Sequence, residues 1–150
     1  MYSPDRESGR PLTGSDPQLP VRARTMAQGF LTALDVEERT EAEAVLLVVS
    51  ELVTNAVRHA GGMTGFGLRA GPGTVTVTVA DASRVPPQAC PADPAQPGGF
   101  GWALVNHLAR KVDVHIQPGG KTVSAVLPLA HTLTQRPERP GTDAAAAFSM

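Results

Sequence analysis

The stretch EERTEAEAVLLVVSELVTNAVRHA, residues 37–60, limits this chain's fold more than any other. It opens on acidic residues, which suit the positive end of a helix dipole, and Gly61-Gly62 closes it. The pattern predicts one long helix. Leu52, Val53, Ala56 and Val57 give that helix an apolar face. Glu51, Asn55 and His59 are spaced four apart, so they stack along one side of it. A carboxylate, a carboxamide and an imidazole therefore line the edge of a stripe that must be buried.

The remaining periodicities supply what this helix packs on. LPVRARTMAQGFLTALD (19–35) places Val21, Met26, Phe30, Leu31 and Leu34 at roughly helical spacing. MTGFGLRA (63–70) reads as a weak strand. TVTVTVAD (74–81) reads as a strong one, with Val75, Val77 and Val79 on one face and threonines on the other. Residues 82–99 hold five prolines and little to pack, so they read as a loop. FGWALVNHLARK (100–111) is an amphipathic helix entered through glycines. VDVHIQ and TVSAVLPL alternate again, joined by Pro118-Gly119-Gly120, a hairpin signal. The order α-α-β-β-loop-α-β-β predicts an α+β two-layer sandwich. Its sheet is expected to be mixed, mainly antiparallel, and covered on one face by helices. Residues 1–18 and 131–150 read as disordered arms flanking one domain at 19–130.

The formal net charge is -1, from 13 basic and 14 acidic residues, which is not the surface a nucleic-acid partner requires. A single cysteine, Cys90, excludes an internal disulfide and fits a reducing compartment. The opening MYSPDRESGR lacks the apolar core of a signal peptide, and no apolar run approaches bilayer length. The expectation is a cytoplasmic protein with no membrane contact.

Four places could carry chemistry. Gly98, Gly99 and Gly101 precede a helix, where backbone amides favour phosphate; glycines there are also a common flexible entry. Gly120-Lys121-Thr122 matches the end of a Walker phosphate loop, but the glycine needed five places before Gly120 is His115, and the triplet lies between strands. That reading fails. Asp81 ends the strong strand, where an acid is usually a turn residue; it could also accept from an adenine amino group. On the long helix, Glu51 could serve as a general base, and Asn55 offers a hard amide oxygen of the kind magnesium prefers. The plainer alternative is a solvated helix border.

In their order, ELVTNAVRHA, VADASRVP, GGFGWALV and GGKTVSAVLPL resemble the ATP-binding domain of the GHKL superfamily, the histidine kinase-like ATPases. More narrowly they resemble its stand-alone branch, typified by anti-sigma-factor serine/threonine kinases. The resemblance spans about residues 20–129. It implies ATP held between helices and a loop lid. It implies that Glu51 is the general base and that Asn55 coordinates Mg2+ against the phosphates. Asp81 would read the adenine amino group. Gly99 and Gly101 would sit where the lid meets the next helix, near the phosphates, and Thr122 near the adenine end. The implied partners are a sigma factor and a small antagonist protein, and the implied assembly is a homodimer.

Some residues depart from the family pattern. The Asp-x-Gly-x-Gly run of many members is Asp81-Ala82-Ser83-Arg84-Val85 here. Trp102 stands where Leu or Ile usually follows the last glycine. The lid, about 84–97, is proline-rich and poor in hydroxyls and charges. His59 reads as a cap on its helix's C-terminus and Cys90 as incidental. Two functions are carried forward: an anti-sigma factor that phosphorylates a serine or threonine of its antagonist, and a non-catalytic module whose partner binding depends on nucleotide. A decayed fold without nucleotide is the third.

Overall fold

Leucines, valines and alanines recurring every three to four residues organise the molecule. A computed structural model describes residues 12–59, 61–87, 101–130 and 147–149, with only the backbone for His59 and for 147–149. The long helix, α2 (Arg39–His59), buries Val45, Val48, Val49, Leu52, Val53 and Ala56 on one stripe. It follows α1 (Leu19–Ala33), which buries Leu19, Ala23, Ala27, Phe30 and Leu31. The face of α1 differs from the one expected from its larger residues. Val21 is 59% exposed, because the buried side of α1 runs through Leu19, Ala23, Ala27, Phe30 and Leu31 instead. Asp35, at φ 59, turns the chain between the two helices.

Beyond α2, Gly61 adopts a left-handed φ of 75 and Gly62 N donates back to the Ala56 carbonyl at 3.1 Å. That ends the helix and feeds β1 (Met63–Gly71), which pairs antiparallel with β2 (Thr74–Asp81). The next described elements are α3 (Gly101–Leu108), β3 (Lys111–Gln117) and β4 (Gly120–Pro128). β4 inserts between β3 and β2, and a short β5 (Ala147–Ser149) pairs with β1, giving the order β3-β4-β2-β1-β5. Every ladder among the described residues is antiparallel. Alternation sets the two faces. Val75, Val77 and Val79 of β2 and Val123, Ala125 and Leu127 of β4 are buried on the helix-covered face, while Thr76, Thr78 and Ser124 lie half-buried on the other. The architecture is the α+β sandwich expected, with no parallel pair among the described residues.

The folded unit starts before residue 19. Leu12 is buried in the core, and Gly14 and Met63 exchange two backbone hydrogen bonds at 2.7 and 2.9 Å, so apolar burial and β-pairing together hold this segment to the start of β1. At the other end, Ala130 N donates to both carboxylate oxygens of Glu41 at 3.0 Å, tying the chain after β4 to the first turn of α2. β5 adds an edge strand within the segment expected to be a disordered tail. No helix among the described residues is long and apolar enough to cross a membrane.

Candidate functional site

Glu51 and Asn55 lie one turn apart on α2, half-buried beside the stripe of Leu52, Val53 and Ala56. Neither side chain has a hydrogen-bond or salt-bridge partner among the described residues. The Glu51 carboxylate rests against Gly101, the first residue of α3. A β-carbon on Gly101 would collide with Glu51 Oε1 and sit 3.0 Å from Cδ. A residue without a side chain is therefore required for α3 to start beside this carboxylate. The first amides of α3 have no partner within the helix, so this end suits an anion.

The other end of the site is built where β2 stops. Asp81 is 5% exposed, and its Oδ1 accepts from Ser83 N at 2.9 Å and from Lys121 Nζ at 3.0 Å. Lys121 is equally buried at 5% and also reaches the Ser83 carbonyl at 3.5 Å. Ser83 Oγ accepts from Val85 N at 3.0 Å, which stiffens the start of the loop. Gly120, at φ 154, lets the β3–β4 hairpin close onto this corner. A β-carbon there would strike the Asp81 carbonyl oxygen.

α2 links the two ends. Its closing turn touches the residue after Asp81: Ala82 N donates to the Gly62 carbonyl at 3.2 Å, and a β-carbon on Gly61 would lie 3.8 Å from Ala82 Cβ. From Glu51 to His59, the last residue of α2, is eight residues, about 12 Å of helix rise, with Asn55 midway. A half-buried amide oxygen with no partner among the described residues is a hard donor of the kind magnesium takes alongside phosphate and water oxygens, so the residues present fit that ion. No group of three or more His, Cys, Asp or Glu among the described residues could hold a metal alone.

The structure thus brings Glu51 and Gly101 together and sets Asp81 at the far end of the same helix. Thr122 is brought to that same end, next to the Asp81–Lys121 pair, but not to the helix-facing side of the sheet. Thr122 pairs with Ala80 on the sheet face away from the helices, and its Oγ1 donates to Gln117 Oε1 at 3.0 Å. The residue of that motif on the helix-facing side is Lys121, directly across from Asp81. Sequence reasoning missed it, although parity marks it: Lys121 is in register with Val123, Ala125 and Leu127. Trp102 is half-buried against the core and its carbonyl accepts from Asn106 Nδ2 at 2.9 Å. Gly98, Gly99, Cys90 and the His59 side chain lie outside the described residues.

Against known proteins, the family model for the histidine kinase-like ATPase domain matches residues 14–127. No curated protein matches the chain. Two similar solved structures come from Erythrobacter litoralis EL346. The histidine kinase domain of a blue-light activated histidine kinase is 30% identical, with a TM-score of 0.41, covering 59% of this chain and 45% of that one. The blue-light activated histidine kinase itself is 29% identical, with a TM-score of 0.43, covering 61% of this chain and 31% of that one. This chain therefore spans less than half the length of either.

Proposed function

Because the chain belongs to the histidine kinase-like ATPase domain family, we propose that it is an ATP-binding regulatory protein that phosphorylates a serine or threonine of a small antagonist protein and holds a sigma factor in the alternative state. The observation that supports this most is the Glu51 carboxylate seated at the start of α3, one turn from Asn55, with neither side chain bonded to a described residue. The triphosphate would lie along α2. Its terminal phosphate would lie near Glu51 and Gly101, where Gly99 would join from the lid, and its base would lie at Asp81. Asp81 Oδ2 carries no bond to a described residue, which leaves it free for an exocyclic amino group. Asn55 would hold Mg2+, which supplies positive charge beside the phosphates.

In the transfer, the antagonist's hydroxyl oxygen forms a bond to the γ-phosphorus. The bond from that phosphorus to the β–γ bridging oxygen breaks, and ADP leaves. The hydroxyl proton passes to the Glu51 carboxylate, a contribution of about 10²–10⁴ in rate for a positioned base. A cytoplasmic setting and a homodimer belong to the same proposal.

A second reading rests on the sequence of the lid, whose prolines come with few hydroxyls or charges to hold phosphate. In it, nucleotide occupancy switches a partner surface without chemistry. The experiment that separates the two incubates wild type and Glu51→Ala with Mg-ATP and a candidate antagonist. It reads phosphoprotein and ATP affinity side by side. Phosphoprotein formed by wild type and lost in a Glu51→Ala protein that still binds ATP supports the kinase. Unchanged phosphotransfer removes Glu51 from the chemistry. Partner binding that differs between ATP and ADP, without phosphoprotein, favours the switch.

A further inference from the structure

A buried lysine at the head of an apolar strand register calls for a reason, and stability alone does not supply one. Lys121 occupies the position that Val123, Ala125 and Leu127 continue along β4, and both it and Asp81 are 5% exposed. Buried ion pairs are generally no more stabilising than the apolar pair that would replace them, because each charge loses its hydration. What the pair does provide is one unused acceptor beside one unused donor, the donor carried on a flexible four-carbon stem. Both bonds to Asp81 fall on Oδ1, from Lys121 Nζ and Ser83 N, so Oδ2 keeps its acceptor capacity. An ammonium has three N–H donors. Among the described residues, Nζ directs one at Asp81 Oδ1 and one, at 3.5 Å, at the Ser83 carbonyl. One acceptor and one donor thus remain side by side at the corner where β2, β4 and the end of α2 meet.

We propose that Lys121 is a specificity-determining residue of the nucleotide site: it contacts the base directly, and with Asp81 it admits 6-oxopurines as well as 6-aminopurines. The proposal rests on the nucleotide site described above. A carboxylate alone selects a 6-amino group, since its lone pairs accept N6–H and repel a carbonyl oxygen at the same place. With an ammonium beside it, two pairings become available. For adenine, Oδ2 accepts from N6–H and Nζ donates to N1. For hypoxanthine or guanine the two groups exchange places along the base edge, by movement of Nζ on its stem and of the ring: Nζ donates to O6 and Oδ2 accepts from N1–H. Each pairing uses one donor and one acceptor, and neither leaves Oδ2 or the third N–H of Nζ unpaired. Without the lysine, only the adenine N6–H bond to Oδ2 remains, because a 6-oxopurine would place its oxygen against an uncompensated carboxylate.

The test is equilibrium binding of Mg-ATP and Mg-ITP to the full chain, measured by calorimetry for wild type and Lys121→Met. Inosine differs from adenosine only in its 6-oxo group and the N1 proton that comes with it. Wild type is expected to bind the two within about tenfold of each other, and Lys121→Met to weaken ITP by at least about tenfold more than ATP. Wild type that binds ATP but discriminates against ITP by more than about a hundredfold overturns the proposal and leaves the ATP site standing; this arm needs no variant to fold. An ATP-to-ITP ratio that is the same in Lys121→Met also overturns it, and assigns the lysine a packing role. If Lys121→Met does not fold, Lys121→Gln takes its place. It keeps a neutral donor, so the ITP-specific loss is expected to be smaller but present, and an unchanged ratio is again fatal. Wild type that binds neither nucleotide overturns both the proposal and the ATP site beneath it.

Discussion

Replacing Asp81 by alanine leaves the Lys121 ammonium buried with one long contact, the Ser83 carbonyl at 3.5 Å. The variant also strips Ser83 N of its acceptor. Removing one partner of a buried pair costs about 3–5 kcal/mol, since the remaining charge is neither hydrated nor compensated. For a chain of this size that corresponds to a drop of roughly 10 °C in Tm. Lys121→Met should cost about 1–2 kcal/mol less, because Asp81 keeps its bond from Ser83 N. The double variant should lose much less than the sum, with a coupling of at least about 2 kcal/mol. Urea unfolding without nucleotide measures all four proteins, followed by fluorescence of Trp102, which packs half-buried on the core. A cost under about 1 kcal/mol for Asp81→Ala, or strict additivity in the double variant, would show that the pair is solvated in solution. The corner built around it would then be wrong.

Two glycine substitutions separate function from folding. Gly101→Ala brings its β-carbon into the Glu51 carboxylate, the far end of a flexible side chain, so Glu51 swings away and stability changes by no more than about 1 kcal/mol. On the proposed mechanism phosphotransfer should nevertheless slow about 10²-fold, because Glu51 is displaced; a stable variant with undiminished phosphotransfer would dissociate Gly101 from the placement of Glu51. Gly120→Ala instead meets the Asp81 carbonyl, which is backbone, at a φ of 154, and should cost about 2–4 kcal/mol in thermal unfolding. Gly119→Ala faces open space and should stay within about 0.5 kcal/mol of wild type; equal losses at the two positions would contradict the close approach of the hairpin to Asp81.

The elements readable from sequence were those whose hydropathy period is strong. In α2 the large apolar residues recur at helical spacing, and in β2 valine and threonine alternate without exception from Thr74 to Thr78. α1 was harder because its packed side is made partly of Ala23 and Ala27, whose small side chains barely register as apolar, while the larger Val21 faces outward. The burial of Leu12 rests on pairing between Gly14 and Met63, which no local pattern announces. At the site, spacing alone placed Glu51 and Asn55 on one flank of α2. The choice between Lys121 and Thr122 turned on strand parity, which the shared motif hides because the two are neighbours. Nor could the sequence show that the start of α3 touches Glu51, since fifty residues separate Gly101 from it and only the fold closes that distance.

The most direct test of the nucleotide site is calorimetric titration with ATP, with and without Mg2+, for wild type beside Asn55→Ala. The site built along α2 requires binding that strengthens with Mg2+ and weakens at least about tenfold in Asn55→Ala, as expected for loss of a metal-oriented contact. No binding at high-micromolar protein, or binding indifferent to both Mg2+ and Asn55, would contradict it.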